Sequence, residues 1–260
     1  MKFRAATVVL VSAGIVLAAT ACSSGGSTGG SAAPAKTKAA AAKTYTAADL
    51  PKILTSAEKT LGVKGTVLDD AQVQAKLKQV QGNGGISALL NTSGVTLSPA
   101  SCGQTIKDAL NQTPPAGSVN SILTYGSNTV TVTAISGKKL PTALATDGST
   151  KLDGLLKTCS TMKISVTQSG QTLTIPFTIK KSNVTTDADT TTGLVETVTV
   201  PTSNGGSNKP ITVEAVSAVA GNLYISAQAS STAVAAAAVK PAASTPSVAD
   251  AINAVVAAAK

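Results

Sequence analysis

The stretch Thr161-Met162-Lys163-Ile164-Ser165-Val166-Thr167-Gln168-Ser169-Gly170-Gln171-Thr172-Leu173-Thr174-Ile175-Pro176-Phe177-Thr178-Ile179-Lys180-Lys181 decides the fold. Met162, Ile164 and Val166 alternate with polar neighbours. Ser169-Gly170 supplies a tight turn, and Leu173, Ile175, Phe177 and Ile179 alternate back between threonines. A period of two on both sides of a Gly-containing pair predicts a β-hairpin with one face toward a core. Further on, Leu194, Val198 and Val200 predict another strand, cut by Pro201. Ile211–Val219 and Leu223–Ala229 predict a second hairpin around Gly221-Asn222. On the N-terminal side, Val130 and Val132 alternate with Thr129, Thr131 and Thr133, the pattern of a half-buried strand. Short links between successive strands imply an antiparallel sheet with one covered face.

The first half supplies the cover. Leu50, Ile53, Leu54, Ala57 and Leu61 recur at helical spacing and Gly62 stops them. Thr46-Ala47-Ala48-Asp49 reads as a capping box, or Asp49 itself caps with Pro51 in the first turn. A second helix begins at Asp69-Asp70, with Val73, Leu77 and Val80 on one face and Gly82-Asn83-Gly84-Gly85 at its end. Ile86–Leu90 is a short apolar turn. Ser98 as cap and Pro99 at the first helical position open a third helix, along which Cys102, Ile106 and Leu110 face inward and which Pro114-Pro115 ends. Leu152, Leu155, Leu156 and Cys159 share the buried face of a fourth. Pro246 opens a last helix with Val248, Ile252, Val255 and Val256 on one side. The fold class is thus α+β: an antiparallel sheet of about five or six strands with helices packed on one face.

The first residues are of a different kind. Lys2 and Arg4 precede an apolar run, Thr7–Val11 and Ile15–Leu17, and small residues then lead to Cys22. This predicts a signal peptide over 1–21. Ala19-Thr20-Ala21-Cys22 resembles a bacterial lipobox, whose cysteine receives a diacylglycerol, although Ala19 stands where Leu is usual. Ala19-x-Ala21 also fits ordinary signal-peptidase cleavage. Two features favour lipidation of Cys22: a free thiol would otherwise be left over, and residues 22–44 form a Ser/Gly/Ala/Lys tether suited to an anchored domain. A single body then spans 45–260.

Setting Cys22 aside leaves one pair, Cys102 and Cys159, each on the apolar side of a helix in an exported chain. A disulfide is the natural reading, and two buried thiols are the alternative. Closing that loop stabilises by roughly 4 kcal/mol in the chain-entropy model.

Composition excludes several functions. The chain of 260 residues has no His and no Trp, two Phe and three Tyr, and its one Arg is Arg4. The commonest general base, metal ligand and pH switch is therefore missing, as is bidentate clamping of carboxylate or phosphate. The formal charge of +9 falls largely outside the body, because Lys2, Arg4, Lys36, Lys38 and Lys43 precede it. With neither Arg nor stacking aromatics, nucleic acid is excluded as a partner.

Catalytic patterns are weak. Ser160-Thr161-Met162-Lys163 and Ser56-Ala57-Glu58-Lys59 fit Ser-x-x-Lys, and Ser118-Val119-Asn120 could pose as its companion, but Lys-Thr-Gly is absent. That chemistry wants the serine at a helix start, whereas Ser160 leaves a helix and Ser56 lies inside one. Asp187-Ala188-Asp189-Thr190-Thr191-Thr192-Gly193 approaches a calcium loop, but its glycine is one place late and Val198 stands where a bidentate Glu belongs. It reads as a polar connection between strands. Lys138-Lys139 and Lys180-Lys181 read as solvated charges at strand ends, with contact to anionic lipid or polymer as the alternative.

Three stretches carry a resemblance: Leu97-Ser98-Pro99-Ala100-Ser101-Cys102, Leu155-Leu156-Lys157-Thr158-Cys159, and Ala220-Gly221-Asn222-Leu223-Tyr224-Ile225 ahead of an Ala-rich C-terminal helix. Over Tyr45 to Lys260 the chain resembles actinobacterial cell-surface lipoproteins similar to the extracellular sensor domain of mycobacterial PknH-type receptor kinases. The resemblance implies a helix-flanked antiparallel sheet, a disulfide framework and a ligand cleft. The kinase domain has two disulfides, whereas this body has one cysteine pair, and no ligand residue transfers. The expectation is a non-catalytic, lipid-anchored binding or sensor-like module on the extracytoplasmic face of the cell membrane, without cofactor or metal. It would be held to the membrane through acyl chains on Cys22. The alternatives are a carrier of lipid acyl chains and a passive surface protein acting through its Lys and Thr.

Overall fold

The computed structural model describes residues 43–82, 94–103, 117–126, 129–137, 152–168, 170–200, 209–232 and 245–260. The signal segment 1–21, nearly all of the 22–44 tether with Cys22, the apolar stretch 86–90, Ile106, Leu110, Pro114-Pro115, Lys138-Lys139 and Pro201 lie outside them.

In chain order the elements are α1 (Asp49–Leu61), β1 (Gly65–Leu68), α2 (Asp70–Gly82), β2 (Val95–Ser98), a helical turn at 100–103, β3 (Val119–Tyr125) and β4 (Val130–Ser136). There follow α3 at 152–159, β5 (Thr161–Gln168), β6 (Gln171–Lys181), β7 (Thr190–Val200), β8 (Lys209–Ala220), β9 (Leu223–Thr232) and α4 (Val248–Ala259). The strands form one antiparallel sheet in the order β1-β3-β4-β9-β8-β7-β6-β5-β2.

The sheet has nine strands rather than five or six. The additions are β1, β2 and β3. Four residues each are too few for β1 and β2 to show a period. In β3 the alternation is hidden by Asn120 and Ser121, both buried. Their polar groups are met by neighbours: the Asn120 backbone N–H donates to Asp70 Oδ1 at 2.8 Å, and Ser121 Oγ donates to the Leu68 carbonyl at 2.6 Å. Buried polar groups so satisfied cost little.

Two expectations are corrected locally. Ser98 is not a helix cap: it ends β2, opposite Lys163 of β5, and the helical turn begins two residues later. In α2, Val73 is buried but Leu77 is 37% exposed, so the apolar stripe is only partly covered. This helix is started by Asp69, whose Oδ1 accepts from Gln72 N–H while Gln72 Oε1 accepts from Asp69 N–H.

Residues opposite one another on antiparallel neighbours share a face. By the register, Leu123, Val132, Ala227 and Val216 lie on one side of the sheet, where α1 and α4 bury them in the larger core. Met162, Phe177, Ile179 and Leu194 lie on the other side, with α3 and the turn at 100–103 against them. Each half of the sheet thus has its helices on one face, and the covered side changes between β8 and β7. Cys102 and Cys159, both fully buried, form a disulfide with a Cα–Cα distance of 5.6 Å that ties the turn to α3.

The hairpin at 161–181 forms as read, with Gln168 opposite Gln171 and Gly170 at φ 77°, where the left-handed region favours glycine. At the start of the body, Tyr45 is buried; its hydroxyl donates to the Ala259 carbonyl at 2.9 Å and its backbone N–H to Ser136 Oγ at 3.1 Å.

Candidate functional site

Between α1, α4 and the sheet the described side chains form one buried, largely aliphatic core. Space appears at the margins of α4. This helix is apolar almost all round: Val248, Ala251, Ile252, Ala254, Val255, Val256 and Ala259 are all buried. A capping box starts it. Ser247 Oγ accepts from Asp250 N–H, and the Asp250 carboxylate accepts from the Ser247 backbone N–H at 2.9 Å. These hydrogen bonds, from the Ser247 hydroxyl and backbone, hold the Asp250 carboxyl below its ordinary pKa.

On the sheet side of this cap lies a hollow of about 340 Å³, lined by Thr129, Val130, Thr212, Glu214, Ala229, Ser230 and Thr245. Its polar groups come from the β3–β4 turn, β8, β9 and the approach to α4. Thr129 and Ser230 are held by the bond from Ser230 N–H to the Thr129 carbonyl at 2.8 Å. Glu214 Oε1 accepts from Ser182 Oγ at 2.7 Å. On the other side of the cap a shallower groove of about 530 Å³ runs between the end of α1 and α4, with Asp187, Asp250 and Asn253 on its walls. In both spaces hydroxyl, amide and carboxylate groups stand among aliphatic walls, from Val130 and Ala229 in the first and Leu61, Pro246, Ala254 and Ala257 in the second, and neither lining includes a lysine.

The loop 182–189 crosses between them. Asp187 N–H donates to Asn253 Oδ1 at 2.7 Å. Asp189 Oδ2 accepts from Gly221 N–H at 2.7 Å, and Asp189 N–H donates to the Val219 carbonyl. The crossing is close: a Cβ on Gly193 would sit 2.9 Å from Ser182 Cβ and 3.1 Å from Val216 Cγ2. The Asp187–Gly193 stretch is thus the pinned end of the polar connection from β6 together with the first four residues of β7. Beneath the cap, Tyr125 is 2% exposed and its hydroxyl has no partner among the described residues. Burial and the nearby Asp250 charge push that phenol up to about 12.

No protein-family model matches the chain, and no curated protein does. Among solved structures it is similar to an uncharacterized protein, an Rv0999 ortholog, from Mycobacterium smegmatis, at 16% identity and TM-score 0.42, over 82% of this chain and 99% of that one. It is also similar to the extracellular domain of PknH from Mycobacterium tuberculosis, at 14% identity and TM-score 0.38, over 83% of this chain and 97% of that one.

The sequence-predicted residues do not converge. Cys102 and Cys159 meet each other, remote from α4. Ser160 leaves α3 and its carbonyl accepts from Ile179 N–H, while Lys163 is exposed on β5. Ser56 sits inside α1, its carbonyl accepting from the Thr60 hydroxyl. Neither Ser-x-x-Lys stretch has its serine at a helix start. The hollow beside α4 was not read from sequence, because Thr129, Glu214 and Thr245 are ordinary polar residues until the topology gathers them. Among the described residues no helix is long and apolar enough to cross a membrane, and no group of three or more acidic residues or cysteines is placed to hold a metal ion.

Proposed function

We propose that the protein is a non-catalytic extracytoplasmic binding module, carried on a lipid-modified Cys22, that takes a small hydroxylated or amine-bearing ligand. The hollow beside the α4 cap carries this reading: four hydroxyl side chains and Glu214 converge on about 340 Å³ of space. A site of that size with a few convergent polar groups suits a small polar molecule. The disulfide supports an oxidising compartment. The acyl-carrier alternative finds less support, because both spaces beside α4 are open to solvent rather than enclosed.

Native mass spectrometry of the full chain extracted from membranes tests this reading. The expected spectrum shows acyl mass on Cys22 and a small non-covalent adduct that Glu214→Gln removes without lowering the thermal midpoint. A fatty-acid adduct would overturn the reading in favour of the carrier. An unmodified Cys22, or a chain with no adduct in either form, would remove the anchor or the binding role respectively.

A further inference from the structure

Among the described residues, the side of the sheet that α1 and α4 cover on β4, β9 and β8 carries no helix across β7, β6, β5 and β2. Loop 182–189 crosses at Gly193 and marks the boundary. Beyond it the inward positions of a buried face are replaced by hydroxyls. On β5, Thr161, Lys163, Ser165 and Thr167 point to this side, opposite Thr178, Pro176, Thr174 and Thr172 of β6. Lys180 follows on β6, and Thr96 and Ser98 of β2 extend the row. The polar positions along β5 and β6 are exposed or half-buried.

Three properties of this surface bear on what it meets. The hydroxyls are mutually ordered: Ser165 Oγ and Thr174 Oγ1 lie 3.2 Å apart, and Thr167 and Thr172 share a bond of 2.9 Å. A hydroxyl has one donor and two lone pairs, so each pair keeps capacity toward solvent. Strand geometry repeats these groups roughly every 7 Å along a strand and about 4.8 Å across strands, with threonine methyls between them. The surface is also singly charged in sign. Lys163 and Lys180 both stand on it, and none of its described positions on β2, β5 and β6 is acidic. The one ion pair among the described residues, Lys181 with Asp153 at 3.3 Å, lies on the opposite face against α3. Glu214 is the nearest carboxylate on the same side, and it lies past the loop with Ser182 bonded to it.

We propose that this Thr/Lys face is a docking surface for an acidic polysaccharide. The argument is complementarity. Sugar hydroxyls pair with a lattice of protein hydroxyls, sugar C–H faces rest on the methyls, and carboxylate or phosphate on the polymer meets the two ammonium groups. An extended polymer fits a face spread over four strands, whose described polar positions on β5 and β6 stand exposed or half-buried.

Affinity electrophoresis of the full chain tests it, in gels containing polygalacturonate or, separately, a neutral glucan. Retardation is expected only in the polygalacturonate gel, weakening as salt rises. The double variant Lys163→Gln/Lys180→Gln should bind at least tenfold more weakly. The control Lys52→Gln/Lys59→Gln removes the same charge from the exposed side of α1 and should bind like the parent. Thermal midpoints within a few degrees of the parent show that both variants fold. Equal loss in both variants would reduce the effect to net charge and overturn the proposal, as would retardation by the neutral glucan. Binding to vesicles containing phosphatidylglycerol with no retardation by the polymer would assign the face to lipid headgroups instead.

Discussion

At the residue scale, Glu196 stands apart. On β7 it lies opposite Ile179 of β6 and Val213 of β8, on the aliphatic side of the sheet that faces α3. Lys181, two positions along the same face from Ile179, is turned to Asp153 instead. Burial without a charge partner raises the Glu196 carboxyl from 4.5 to about 7. A carboxyl whose folded value exceeds its unfolded value binds its proton more tightly when folded. Stability therefore increases as pH falls from about 7 toward 4.5, and above 7 the ionised group imposes its full cost. Glu196→Gln should raise stability at pH 8 by about 2 kcal/mol and flatten the profile between those values. Urea denaturation at pH 5 and pH 8 measures it; an unchanged pH profile in the variant would place the linkage elsewhere.

At the element scale, α4 shows what was legible and what was not. The spacing of Val248, Ile252, Val255 and Val256 reads directly as a helix, and Ser247 with Asp250 supplies its start. Replacing the cap, Ser247→Ala, should cost about 1 kcal/mol in urea denaturation and leave the disulfide intact. A variant as stable as the parent would show that the backbone and Asp250 suffice. The hairpins at Ser169-Gly170 and Gly221-Asn222 were equally readable, because turn glycines and strict alternation agree there. β1 and β3 were not. Each depends on polar partners far away in sequence, Asp70 for Asn120 and Leu68 for Ser121. The pairing of Cys102 with Cys159 was readable by arithmetic on three cysteines. The hollow beside α4 was unreadable because its walls, from Thr129 to Thr245, meet only through the order of strands.

At the scale of the whole molecule, two cores share one sheet but lie on opposite sides of it. The larger has two helices and most of the buried aliphatic residues. The smaller rests on α3, the turn at 100–103 and the bond between them. Its cystine spans 57 residues. Cys102→Ser/Cys159→Ser should lower stability by about 4 kcal/mol if the chain-entropy account holds. Hydrogen exchange should show the loss mainly in β5, β6 and α3, with α1 and α4 protected as before. Uniform loss across both cores would mean that they melt as one cooperative unit.

The junction of Tyr45 with Ala259 has a mechanical consequence. Its hydroxyl bond, with the Lys43 ammonium 5.0 Å above the Tyr45 ring, fastens the leading strap of the body to the final turn of α4. A tug arriving through Lys43 is felt at once by that helix and, through the Tyr45 N–H bond to Ser136 Oγ, by the end of β4. Since Asp250, Asn253, Ala254 and Ala257 of α4 wall the groove beside α1, tension on the strap and occupancy of that groove bear on the same lever.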